Sequence, residues 1–148
     1  MEVKTSAISV RGSELSGSEF DCADTPDLVP VLAVLGSIAD GTTEIRNVPH
    51  LRIKESDRIR TLTIGLERLG ARVKELEDGL KLFGRKGLTG NTVDSYGDHR
   101  IAMALTIAGL VATGQTLVSG AESIPVSYPG FVDDLKKLGA RIETVRTP

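Results

Sequence analysis

Arg58 and Arg100 each stand just inside the start of a helical pattern. A helix start carries the equivalent of about half a positive charge, which disfavours basic side chains there by about 0.3–1 kcal/mol. Two arginines that break this rule make sense if an anion sits between them. The helix dipoles, the free backbone N–H groups and the guanidinium forks would hold it. Arg52 and Lys54 add positive charge immediately before Arg58. The alternative is that Asp57 and Asp98 neutralise the two arginines as ordinary surface pairs. Asp27 takes the matching place in an earlier helix and obeys the rule, so on its own it reads as helix-start stabilisation. Glu55 beside Lys54 has the make-up of a poised acid–base pair, or of an exposed loop salt bridge. His99 places a titratable group between Asp98 and Arg100, and His50 stands four positions before Lys54. A lone histidine serves structure more often than catalysis.

These residues can gather only if repeated elements bring them to one edge, and the chain does repeat. Leu15-Ser16-Gly17-Ser18-Glu19-Phe20-Asp21 resembles Leu88-Thr89-Gly90-Asn91-Thr92-Val93-Asp94, at an offset of 73 residues. The same offset relates Gly41-Thr42-Thr43 to Gly114-Gln115-Thr116, and Asp27 to Arg100. Leu69-Gly70-Ala71-Arg72-Val73 returns as Leu138-Gly139-Ala140-Arg141-Ile142, with a slip to 69.

In the first copy Glu19 to Ala23 reads as a strand. Thr25 is a natural N-cap and Pro26 a favoured first helical residue, for a helix over Pro26 to Ala39. Thr42 to Val48 alternates as a strand. Ser56 is placed to cap a second helix whose face carries Ile59, Leu62, Leu66 and Leu69 and which Gly70 ends. Val73 to Leu76 and Leu80 to Phe83 form a hairpin around Asp78-Gly79. The pattern is α/β, with a β-α-β-α-β-β unit. In the second copy the expected elements are strand Thr92 to Ser95, helix Arg100 to Ala112, strand Thr116 to Ser119, helix Pro129 to Leu138 and strand Ala140 to Val145. There the chain stops, one strand short. Val3 to Val10 reads as the closing strands of a preceding unit. The expectation is therefore part of a longer protein, with units near 17–86 and 90–148 and residues 1–12 closing an earlier one.

The 148 residues are enough to bury a core of their own, about 68–70% of the unfolded surface. Lys plus Arg number 18 and Asp plus Glu 20, a net charge of −2, and aromatics make up 3%. That balance argues against a nucleic-acid binder, which needs basic surface and stacking platforms. The single Cys22 excludes an internal disulfide and a cysteine-rich zinc site, and reads as a core residue. No apolar run reaches membrane-spanning length; Ile101 to Ala112 reads as a buried helix. There is no Walker loop, no convincing dinucleotide fingerprint and no nucleophile elbow.

Four strings carry a family resemblance. Leu51-Arg52-Ile53-Lys54-Glu55-Ser56-Asp57-Arg58 and Tyr96-Gly97-Asp98-His99-Arg100-Ile101-Ala102-Met103-Ala104 resemble blocks of the 5-enolpyruvylshikimate-3-phosphate (EPSP) synthases. So do Thr25-Pro26-Asp27-Leu28-Val29-Pro30 and Ser127-Tyr128-Pro129-Gly130-Phe131, in the same order.

The resemblance implies the enolpyruvyl transferase fold, two lobes built from six β-α-β-α-β-β units, with this chain the C-terminal part of one lobe. The implied reaction moves the enolpyruvyl group of phosphoenolpyruvate to the 5-hydroxyl of shikimate 3-phosphate, with release of phosphate, on the route to chorismate. It implies no metal or organic cofactor, a missing N-terminal lobe as partner, no nucleic acid, no membrane and a cytoplasmic location. By the same resemblance Asp27 contacts the shikimate hydroxyls and acts as base. Lys54 contacts shikimate 3-phosphate and the reacting centre, and Glu55 serves proton transfer at the methylene carbon. Arg58 and Arg100 clamp the phosphoenolpyruvate carboxylate, with His99 beside them, and His50 stands at a substrate-contacting position that is asparagine in some members. Val126 stands where many members have a phosphate-binding lysine. The rival readings are the enolpyruvyl transferase acting on UDP-N-acetylglucosamine and a noncatalytic anion-binding module.

Overall fold

The computed structural model describes residues 11–84 and 87–146. Strand β1 (Glu19–Asp21) leads into a 3-10 turn over Pro26–Leu28 and helix α1 (Val29–Ile38). Strand β2 (Thr42–Arg46), helix α2 (Arg58–Arg68) and the hairpin β3 (Arg72–Leu76) and β4 (Gly79–Phe83) complete the first unit, β-α-β-α-β-β in order. Its four strands form one sheet in the order β1-β2-β4-β3, with β1 and β2 parallel and the rest antiparallel. Short strands β5 (Leu88–Thr89) and β6 (Thr92–Asp94), helix α3 (His99–Val111), strands β7 (Ala112–Thr113) and β8 (Leu117–Ser119) and helix α4 (Phe131–Lys137) follow.

The two halves repeat residue for residue. Glu19, Phe20 and Asp21 pair in parallel with Glu44, Ile45 and Arg46; 73 positions on, Thr92, Val93 and Asp94 pair with Leu117, Val118 and Ser119. Helix α1 comes so close to its strand that a Cβ on Gly36 would lie 2.8 Å from the Thr43 Cβ. A Cβ on Gly109 would likewise lie 2.9 Å from the Thr116 Cβ. Only glycine allows that approach, so the helix-to-strand distance is written into both copies.

A single large core runs through both units, from Cys22, Val29 and Ile45 through Ile59, Leu62 and Leu66 to Ile101 and Leu105. The expected face of the second helix is buried as read, with Ile59, Leu62, Leu66 and Leu69 all inside. Cys22 lies in this core, and burial pushes its thiol above the ordinary cysteine range. No helix of the described residues is long and apolar enough to cross a membrane.

Three local expectations change. Thr25 makes no side-chain cap, and the first helix opens as a 3-10 turn. Pro30 has no N–H to return to Pro26, so Val29 N–H takes the Pro26 carbonyl instead. Asp57, not Ser56, caps α2, accepting the Arg60 N–H at 3.0 Å. The Ser56 hydroxyl is drawn away to Asp98, at 3.1 Å. Residues 140–145 form no strand. In the first unit β3 pairs with β4, and among the described residues no strand lies beside 140–145. The strands expected over Val3 to Val10 lie outside the described residues.

Candidate active site

The two helix starts converge on one buried carboxylate. Asp98 caps α3, its Oδ1 accepting the N–H groups of Arg100 at 3.0 Å and Ile101 at 3.4 Å. Its Oδ2 accepts from Arg58 Nε at 2.8 Å and from the Ser56 hydroxyl. Arg58 is 2% exposed and Asp98 fully buried. An arginine at a helix start, inside the protein, is tolerated because this carboxylate meets it in fork geometry. Burial pushes the Asp98 carboxyl up. The hydrogen bonds and charge of Arg58 and the two backbone N–H groups outweigh it, and the net value lies below the ordinary carboxylate range.

The outer face of Arg58 meets two further carboxylates. Nη2 donates to Glu55 Oε2 at 2.6 Å, and Nη1 to Asp27 Oδ1 at 3.4 Å. Asp27 in turn pairs with Arg100, at 2.7 Å from Oδ2 to Nη2. Asp27 rides on the 3-10 turn before α1, Glu55 on the loop before α2 and Arg100 on the first turn of α3. The structure thus joins Asp27, Glu55, Arg58 and Arg100 in one network that opens to solvent at Asp27 and Glu55. His99, the first residue of α3, is buried at its edge.

Lys54 and His50 stand apart from this network. His50 is half-buried on a 3-10 turn, Pro49–Ile53, and Lys54 follows it with extended backbone and an exposed side chain. A cleft of about 200 Å³ runs between α1 and α3, walled by Asp27 and Arg100 and floored by Pro30, Val34, Met103 and Ile107. Among the described residues no three His, Cys, Asp or Glu side chains are grouped to hold a metal.

Residues 1–135 match the family described as EPSP synthase (3-phosphoshikimate 1-carboxyvinyltransferase). The chain belongs to the EPSP synthase family. A curated family member from Methanocella arvoryzae is 52% identical over 136 residues, covering 92% of this chain and 32% of that protein. One from Methanocaldococcus jannaschii is 46% identical over 144 residues, covering 97% and 34%. Among solved structures, EPSP synthase from Acinetobacter baumannii matches with a TM-score of 0.84 at 30% identity, over 90% of this chain and 32% of that one. The enolpyruvyl transferase NikO from Streptomyces tendae matches with a TM-score of 0.76 at 30% identity, over 91% and 31%. The chain spans about a third of the length of these relatives. The fold is that of the enolpyruvyl transferases.

Three residues of this EPSP synthase chain matter more to the site than their sequence context indicates. Asp98 reads as a surface counter-charge and is instead the buried hub. Neither its capping of α3 nor its link to Arg58, 40 residues back, follows from local sequence. Ser56 serves that hub rather than its own helix. Arg52 ties the Lys54–Glu55 loop to the β3–β4 hairpin, donating to Asp57 at 2.9 Å, Glu75 at 3.0 Å and the Leu76 and Glu77 carbonyls. Val126, at the expected lysine position, is 79% exposed at the end of a 3-10 turn.

Proposed function

We propose that this chain is the C-terminal part of one lobe of a cytoplasmic enzyme that transfers the enolpyruvyl group of phosphoenolpyruvate to the 5-hydroxyl of shikimate 3-phosphate. The units near 17–86 and 90–148 belong to that lobe, and residues 1–12 close the unit before them. The observation that carries the reading is the joining of Asp27, Glu55, Arg58 and Arg100, from three separate elements, around buried Asp98.

Such a transfer needs a base, an acid and an anion clamp held in fixed relation. Asp27 takes the proton of the 5-hydroxyl as its oxygen bonds to C2 of phosphoenolpyruvate. Glu55 delivers a proton to C3, which makes C2 electrophilic. The tetrahedral adduct then loses a proton from C3 and phosphate from C2, which restores the double bond. Arg58 and Arg100 hold the carboxylate of phosphoenolpyruvate, and Lys54 and His50 reach shikimate 3-phosphate from the exposed loop. His99 supports the clamp. For a substrate carboxylate to reach Arg58, Glu55 or Asp27 must swing off it. The same movement frees those two groups for proton transfer. No metal or organic cofactor takes part.

The remaining substrate contacts come from the N-terminal lobe, so this chain alone is inactive. The test is a chimera in which it replaces the matching third of the Methanocella arvoryzae protein. Phosphate release that requires both phosphoenolpyruvate and shikimate 3-phosphate supports the reading. Release that follows UDP-N-acetylglucosamine instead, or neither acceptor, overturns it.

A further inference from the structure

Lys54 and Glu55 sit on a loop that packs on little of its own. Leu51 is buried in the core, and the next exposed stretch runs over Ile53, Lys54 and Glu55, with Ile53 85% exposed. Glu55 is fixed by its ion pair with Arg58. In the transfer proposed above, that pair opens when Arg58 takes a substrate carboxylate. The aim of Glu55 then depends on how the loop backbone is held.

One guanidinium holds both ends of it. Arg52 stands at the entry to the loop and Asp57 at its exit, and Arg52 Nη1 donates to Asp57 Oδ2. The same Nη1 donates to Glu75 on β3, while Nε and Nη2 donate to the Glu77 and Leu76 carbonyls of the hairpin turn. That turn is a fixed base. Strand β4 pairs on its far side with β2, and Asp78 accepts the Val48 N–H at its carbonyl and the Asn47 N–H at its carboxylate. Glu75 also reaches Arg60 in the first turn of α2, at 3.0 Å, and the Arg60 N–H is the one that Asp57 caps. Loop entry, loop exit, hairpin and helix start thus form one closed ring. A planar fork can serve two adjacent carbonyls and two carboxylates together; an ammonium group cannot. Arg52, Asp57 and Glu75 are 29%, 36% and 25% exposed, so their ion pairs are screened and contribute little to overall stability. What the ring supplies is position.

We infer that Arg52 is a positioning residue for the transfer: by clasping residues 53–56 to the β3–β4 hairpin it keeps Glu55 aimed at the reacting carbon once Arg58 has released it. This rests on the reading of Glu55 as the acid. Arg52 acts from outside the site and touches no substrate. The carboxylate clamp does not depend on it, because Arg58 is held by buried Asp98 and Arg100 stands on α3. Loss of Arg52 therefore slows the chemical step and leaves phosphoenolpyruvate binding in place. A displacement of about 1 Å at a reacting group is enough for a loss of about 10²-fold.

The Methanocella chimera carrying Arg52→Gln or Arg52→Lys tests this, with circular dichroism confirming the fold. Arg52→Lys keeps a positive charge between Asp57 and Glu75 and removes only the fork. For both variants kcat is expected to fall about 10²-fold, with KM for phosphoenolpyruvate within about threefold of the parent. Added to Glu55→Gln, Arg52→Gln is expected to cost less than about threefold more, because it acts through Glu55. A near-normal kcat in either variant overturns the inference, as does a loss that is undiminished on top of Glu55→Gln. A second readout needs no turnover. Cleavage after Lys54 by a lysine-specific protease is expected to speed up at least about tenfold in Arg52→Gln, while cleavage after Lys74 and Lys81 in the sheet keeps its rate. Cleavage at Lys54 that is no faster than in the parent overturns the inference. A chimera without shikimate 3-phosphate-dependent turnover contradicts the functional reading instead, and the protease result still decides whether Arg52 holds the loop.

Discussion

Asp27 and Arg100 hold the same place in the two repeats, 73 residues apart, and their side chains meet in an ion pair of 2.7 Å. The duplicated backbone thus delivers opposite charges to one edge from equivalent helix starts. Asp27 is 54% exposed and Arg100 34%, so water and salt screen the pair. Asp27→Asn or Arg100→Gln is expected to lower the stability of the chain by less than about 1 kcal/mol. Urea unfolding checks this. A loss of several kcal/mol would mean that the pair is structural.

Arg58 is the opposite case. Its substitution leaves Asp98 buried with its main counter-charge gone. Arg58→Ala is expected to cost about 3–5 kcal/mol, the range for breaking a buried ion pair on one side. The comparison with Arg100→Gln in the same urea series separates the two arginines of the clamp. Equal losses for both would contradict the burial argument.

Acid should release the same hub. The folded Asp98 carboxyl lies below its ordinary value, so its contribution to stability is whole above about pH 4, the unfolded range. It is lost as pH falls through the folded value. The stability gap between the wild type and Asp98→Asn should therefore be constant near neutrality and shrink below about pH 4. Unfolding midpoints measured along a pH series read it directly. A gap that shrinks as pH rises would have the wrong sign.

Much of this was legible in the residues, for physical reasons. The repeat follows from the recurrence of strings at an offset of 73, and the helix face from local period, as at Ile59, Leu62, Leu66 and Leu69. The basic helix starts pointed to Arg58 and Arg100 because local electrostatics makes them anomalies. What failed was competition over distance. Ser56 and Asp57 are both good caps by type, and only the position of Asp98 decides between them. Residues 140–145 have strand-like composition, but a strand needs a neighbour, and among the described residues none pairs with them.

The close approach of α1 to β2 gives a separate test. Gly36→Ala places a Cβ against Thr43 inside the core, where something must shift. A loss of about 1–3 kcal/mol is expected, as for other overpacked sites. Thermal or urea unfolding measures it, and a stability equal to wild type would show that the helix can retreat at no cost.

The central claim is that Asp27 and Glu55 move protons in enolpyruvyl transfer while Arg58 and Arg100 hold the carboxylate. The most direct measurement is turnover of the Methanocella chimera carrying Asp27→Ala or Glu55→Ala, with circular dichroism confirming the fold. Each change is expected to lower kcat by about 10²–10⁴, the usual contribution of a positioned acid or base. A folded chimera that keeps a near-normal rate after either change would contradict the account.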